Sequence, residues 1–196
     1  MDSNQSKAKA KAKAQAPGPV PTSSRPTAPR RQIAFISGPL EANEEYFNMH
    51  YLPKLRDAVD KGHLFIIGPS RGIDSLSFDY LRKSGVPASR IRLYLNTSEE
   101  TRLSRHFKRF EEVGGALVIV KGSHTERDEA MTRASHYDIL RYRTEEECRA
   151  LYGASYRPRI SGTQKNEIRR NAGIGLVWPD PGNKPVGRLP TKDSKA

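Results

Sequence analysis

The chain has 196 residues, 22.0 kDa, with Lys+Arg 34 against Asp+Glu 22 and a formal charge of +12. Only 35% of it is hydrophobic, so one folded domain with tails is expected rather than a chain that folds throughout. No apolar run approaches the roughly 18 residues of a membrane span, no apolar segment near the start reads as a secretory signal, and the single Cys148 excludes a disulfide framework or a multi-cysteine zinc site. A reducing compartment follows as the expectation, cytoplasmic with the nucleus as the alternative.

Residues 1–32 contain no aromatic residue and no Leu or Ile. Lysine alternates with alanine from Lys7 to Ala14, and a Pro/Ser/Thr stretch runs from Pro17 to Pro29. Such a segment buries too little apolar area to offset the entropy of ordering, which predicts a disordered arm. Its four lysines and three arginines against Asp2 give +6, half the excess of the chain. Charge of this kind serves solubility or loose contact with polyanions.

From residue 33 the pattern alternates in type. Short apolar runs at Ile33–Ser37, Leu64–Ile67, Ile91–Leu95, Ala116–Val120 and Tyr137–Tyr142 predict buried parallel strands. Between them, helical spacing is found over Asn43–Lys61, Ile73–Lys83, Glu99–Val113 (stopped by Gly114-Gly115), Glu126–Ala134 and Glu145–Tyr152. A basic helical piece opens at Ser161-Gly162-Thr163 and runs through Arg170. The remainder, 175–196, is a Pro/Gly-rich tail of charge +2, which leaves residues 33–174 at only +4. The alternation predicts an α/β fold for 33–174, a Rossmann-like three-layer sandwich with a mostly parallel sheet of about five strands, flanked by disordered tails. Trp178 is expected to pack the tail onto the core, with base stacking as the alternative.

In such sheets ligands bind at the carboxyl ends of the strands, at the switch point of the topology. The segments there combine glycine with small hydroxyls: Ser37-Gly38-Pro39, Gly68-Pro69-Ser70-Arg71-Gly72-Ile73-Asp74, Lys121-Gly122-Ser123-His124, and Ser161-Gly162-Thr163. Glycine lets the backbone approach a ligand, and free N–H groups with hydroxyls at a helix start accept an anion such as phosphate. One such turn is ordinary βα chemistry. Four at one edge point to a phosphate- or nucleotide-like ligand.

Gly68-Pro-Ser-Arg-Gly-Ile-Asp74 resembles the glycine–arginine–glycine–(Ile/Val)–Asp turn of the SLOG superfamily. That Rossmann-like group includes the DNA-processing protein A family, the Lonely Guy phosphoribohydrolases and the YpsA-type proteins. Arg127-Asp-Glu-Ala-Met131, with Ala134 and Asp138, is similar to the YpsA-type segment, and Ser161-Gly-Thr163 to the Ser-(Arg)-Gly-Thr turn of the group. The order of the three fits over roughly residues 33–172. The chain departs from the pattern at Ser37-Gly38-Pro39-Leu40, where these families have Gly-Ser-Arg, at Pro69 in place of a glycine, and at Asp128 in place of an asparagine. The catalytic Arg and Glu set of the Lonely Guy enzymes has no counterpart here. The resemblance implies a nucleotide-binding Rossmannoid domain, and homo-oligomers, since such domains often pair through helices.

Each candidate residue carries a functional reading beside a plain one. Arg71 is a fork of donors for phosphate or carboxylate, or a surface ion pair. Asp74 accepts from ribose hydroxyls or orients Arg71, or is a helix-start acid. Asp128 shares that last alternative. Arg127 sits in the first turn of a helix, where a cation is unfavourable unless an anion neutralises it. Ser161 and Thr163, with Gly162 between them, offer donors to phosphate or form an ST-type turn or N-cap. Gly122 and Ser123 lie in the turn after a strand, where ordinary turn chemistry is the alternative, and His124 there is a solvated loop residue or a base. Glu41 is a nucleophile or base for a glycosidic bond, or a loop acid. Catalytic candidates are therefore Glu41, Asp74 and Asp128. Ligand-binding candidates are Gly38, Gly68, Ser70, Arg71, Gly72, Gly122, Ser123, Arg127, Ser161, Gly162 and Thr163. His50, His63, His106 and His136 lack ligand spacing, so neither a metal nor a cofactor is expected. Cys148 reads as structural, being in a glutamate-rich helix that disfavours its thiolate.

The expected function is binding of a nucleotide or nucleotide derivative, with an N-glycoside hydrolase or phosphoribohydrolase/transferase reaction as the chemistry. The alternatives are a nucleic-acid-binding protein, in which the basic arm and the Arg102, Arg105, Lys108, Arg109 face make phosphate contacts, and a non-catalytic adaptor for acidic partners. A weak nucleic-acid contact through the tails is compatible with the first, and no membrane partner is expected.

Overall fold

The computed structural model describes residues 31–178. The expected arm, residues 1–32, falls outside the described residues except for Arg31 and Gln32, and most of the C-terminal tail lies outside them as well. The strands are β1 (Ile33–Ser37), β2 (Leu64–Ile67), β3 (Ile91–Asn96), β4 (Ala116–Val120) and β5 (Tyr137–Leu140). The helices are α1 (Glu44–His50), α2 (Leu52–Asp60), α3 (Ile73–Lys83), α4 (Thr97–Glu112), α5 (His124–Arg133), α6 (Glu145–Tyr152) and α7 (Gly162–Asn171). The fold is α/β, a five-stranded, wholly parallel sheet in the order β4-β3-β2-β1-β5 with helices on both faces.

The alternation of side chains along β1 builds the two faces. Ala34 and Ile36 enter a core with Phe47, Leu55, Ile73, Leu81 and Phe110, from α1 to α4. Ile33 and Phe35 enter a smaller core with Ile66, Tyr94 and, from α5, Met131. All five residues of β1 are buried, as a central parallel strand requires. Among the described residues no helix is long and apolar enough to cross a membrane.

Three details differ from the sequence expectation. The stretch Asn43–Lys61 is two helices broken at Tyr51, because Pro53 lies in the first turn of α2 and has no N–H to continue α1. The last strand ends at Leu140, and Arg141 turns away to pair with Glu147 of α6. The folded body extends past residue 174 and begins before residue 33. The Leu176 N–H donates to the Ser135 carbonyl at 2.8 Å, and the Leu64 N–H to the Gln32 carbonyl at 2.9 Å. Trp178 lies edge-on to the His136 ring, centroids 5.1 Å apart.

Candidate functional site

Because every strand is parallel, the turns after β1, β2 and β4 share the carboxyl rim of the sheet. The topology reverses between β1 and β5, where a ligand crevice is expected. That crevice is filled. The Tyr51 hydroxyl, from the α1–α2 break, donates to the Ser37 carbonyl and accepts the Arg141 N–H, both at 2.9 Å. Burial pushes this phenol well above its ordinary range. From α7, Asn166 Nδ2 donates to Ser37 Oγ at 3.0 Å, and Thr163 Oγ1 lies 3.3 Å from the same oxygen. Thr163 and Asn166 are both buried. Thr163 therefore ties α7 to the end of β1. Ser161 caps α7, accepting the Gln164 N–H at 3.1 Å, and Gly162 is exposed beside Asp128.

The polar centre of the rim lies one strand further along, over β2 and β3. Arg127, at the start of α5, is 5% exposed and spans two carboxylates, Glu99 through Nη1 and Asp128 through Nε and Nη2. Burial works against its charge, and the two carboxylates more than offset that, so its pKa is raised. Glu99 is also buried, and its other oxygen accepts the Asn96 N–H at 2.9 Å as part of the capping box of α4. His124 Nδ1 lies 3.1 Å from both Glu99 and the Asn96 side-chain amide. The anion that justifies a cation at this helix start is thus internal, and Arg127 holds carboxylates in place rather than standing free for a ligand.

Asp74 completes the centre. It is 8% exposed in the first turn of α3 and accepts the Ser70 N–H at 3.3 Å. Burial raises its pKa to about 7; the charge of Asp128 adds to the rise, while Arg127 and Ser70 oppose it. Gly68 makes this approach possible, since a methyl group there would stand 2.6 Å from Asp74 Oδ2. Gly72, at φ +75°, turns the chain into α3, and a methyl group there would stand 2.4 Å from the Pro39 carbonyl. Gly38 is equally tight against the Tyr51 hydroxyl and Ile73. The β1 and β2 turns are thus packed together by their glycines.

Beside Asp74 a concavity of about 170 Å³ opens between α3 and α4. It is lined by the Gly68-Pro69-Ser70 turn, by Asp74, Ser75, Phe78 and Asp79 of α3, and by Leu93 and Phe107. Phe78 and Phe107 meet edge to face at 6.0 Å. Phe78, Phe107 and Asp79 escape a reading confined to glycine turns; the i, i+4 spacing of Asp74 and Phe78 on α3 is a signal for Phe78, and nothing local marks Asp79 or, on α4, Phe107.

The remaining candidates lie around this centre. Arg71 is exposed and pairs with Glu41 at 3.1 Å. The second oxygen of Glu41 accepts the Tyr152 hydroxyl at 3.0 Å, and its carbonyl accepts from Arg143 at 3.1 Å. Gly122 and Ser123 follow the edge strand β4, three positions from β1 in the sheet. Ser123 forms a capping box with Glu126, and its hydroxyl at 2.5 Å and its N–H at 2.8 Å both donate to that carboxylate and hold its pKa down. Cys148 Sγ lies 3.9 Å from the Arg143 carbonyl, half-buried on α6. Among the described residues no group of His, Cys, Asp and Glu is placed to hold a metal ion. No protein-family model, no curated protein and no solved structure matches the chain.

Proposed function

We propose that the carboxyl rim over β2 and β3 binds a nucleotide or nucleotide derivative, and that Asp74 handles the proton in cleavage or transfer at its N-glycosidic bond. The observation that carries this reading is a carboxyl group with a pKa of about 7, set on the wall of an aromatic-lined concavity under a glycine turn. A planar base fits against Phe78 and Phe107, with a ring nitrogen toward the Asp74 carboxyl and an N–H group toward Asp79. Arg71, at the exposed end of the same turn, exchanges its partner Glu41 for the ligand phosphate.

In cleavage, the C–N bond breaks as the base leaves and takes a proton from the neutral Asp74 carboxyl. Water or an acceptor hydroxyl then adds to the sugar carbon and returns a proton to the Asp74 carboxylate. Asp128, paired with Arg127, supports the positive charge developing on the sugar. A carboxyl that titrates near neutrality suits both proton steps at pH 7.

The test is a thermal-shift screen of nucleoside mono-, di- and dinucleotides, followed by chromatography for released base and sugar phosphate. At least one nucleotide should raise the melting temperature, and Arg71→Ala should reduce that rise. Asp74→Asn should keep binding and slow base release by about 10²–10⁴-fold. Absence of a shift with every nucleotide in the panel refutes the reading. Binding without base release retains the site and removes the chemistry.

A further inference from the structure

Among the described residues, β4 stands at the edge of the sheet and pairs with β3 alone. Its sequence, Ala-Leu-Val-Ile-Val, carries no charge, no proline and no bulge, which are the usual protections of an open edge. Nor do the described residues cover it as a parallel strand is normally covered. None of its five residues is buried, and Ile119 is 41% exposed. Leu117 packs toward the α1–α4 core, and Val118 and Val120 toward the α5 core, so both apolar layers continue to this edge. At the opposite edge, β5 is covered, with Asp138 held by two bonds from Arg170 of α7 at 2.9 and 2.8 Å.

We infer that β4 is the interface for a second copy of this chain, through antiparallel β4–β4 pairing about a two-fold axis at Val118. This register places Ala116 opposite Val120 and Leu117 opposite Ile119 of the other copy, apolar against apolar on both faces. Two features favour a second copy over another partner. The ladder is self-complementary: either alternate set of outward backbone groups on a five-residue strand is symmetric about its centre. The charges also match, because Glu111 and Glu112 precede β4 and Lys121 follows it. An antiparallel pair therefore brings acidic and basic ends together twice. Gly114, Gly115 and Gly122 flank the strand. This inference is independent of the ligand reading.

Sedimentation of the full chain from low to high micromolar concentration provides the test. A reversible dimer is expected. Ile119→Lys should weaken it by about 30-fold or more, the size of a hot-spot loss, with circular dichroism unchanged. Ile168→Lys, at a site 52% exposed on α7, should leave association as it is. Lys121→Glu should weaken the dimer, and adding Glu112→Lys should restore it, a readout that remains if Ile119→Lys fails to fold. A monomer at every concentration overturns the proposal, as does a dimer indifferent to both Ile119→Lys and Lys121→Glu. A monomer that dimerises only when residues 1–30 are deleted also overturns it, by naming the chain's own arm as the occupant.

Discussion

Burying the Asp74 carboxyl costs stability whenever it ionises, and the sign follows from its raised pKa. The folded chain holds this proton more tightly than the unfolded chain, so the proton's stabilising effect is complete below the ordinary value of 3.8 and is lost as pH rises to about 7. Asparagine has no charge to lose. Asp74→Asn should therefore match the parent near pH 4 and exceed its stability above pH 7, by at most about 4 kcal/mol for a shift of this size. Urea unfolding at the two pH values checks this, and equal increments at both would show that ionisation is not the cause. Arg127 behaves in the opposite way. Arg127→Met leaves the buried Glu99 and the half-buried Asp128 without their counter-charge and should cost about 3–5 kcal/mol, with Arg127→Lys intermediate because an ammonium cannot bridge both. Denaturant titration of the two variants separates them. The helix-dipole mismatch at Arg127 is readable from sequence, but its partner Glu99, which lies 28 residues away, is not.

At the scale of elements, most boundaries follow from local signals. The spans Ile73–Lys83 and Glu145–Tyr152 and the first two and fourth strands can be read from periodicity alone. The capping boxes at Asn96/Glu99 and Ser123/Glu126 are also local patterns, and they account for Ser123 as a cap. Gly72 is different, since its conformation and its neighbours both exclude a side chain. Gly72→Ala should cost more than about 2 kcal/mol, from an unfavourable φ and a clash with rigid backbone. Gly85→Ala, with a similar φ of +72° but open space, should cost only about 1–2 kcal/mol. Thermal melts of both variants give the comparison, and nucleotide protection should be lost only in Gly72→Ala, which displaces the start of α3.

For the whole molecule, sheet order decides which turns share a rim. Under the dimer proposal the melting temperature of the full chain should rise with protein concentration, because association stabilises only the folded form. Differential scanning calorimetry across a concentration series tests this, and Ile119→Lys should remove the dependence. The sequence by itself determined the α/β class, the parallel sheet and the glycine turns on one rim. Periodicity, burial runs and backbone freedom are properties of neighbouring residues. Tertiary structure alone decided that Tyr51, Thr163 and Asn166 close the β1–β5 crevice, that Arg127 is spent on two carboxylates, and that the opening lies between α3 and α4. Those outcomes depend on residues tens of positions apart meeting across the sheet, and no local pattern encodes which of them share a cavity.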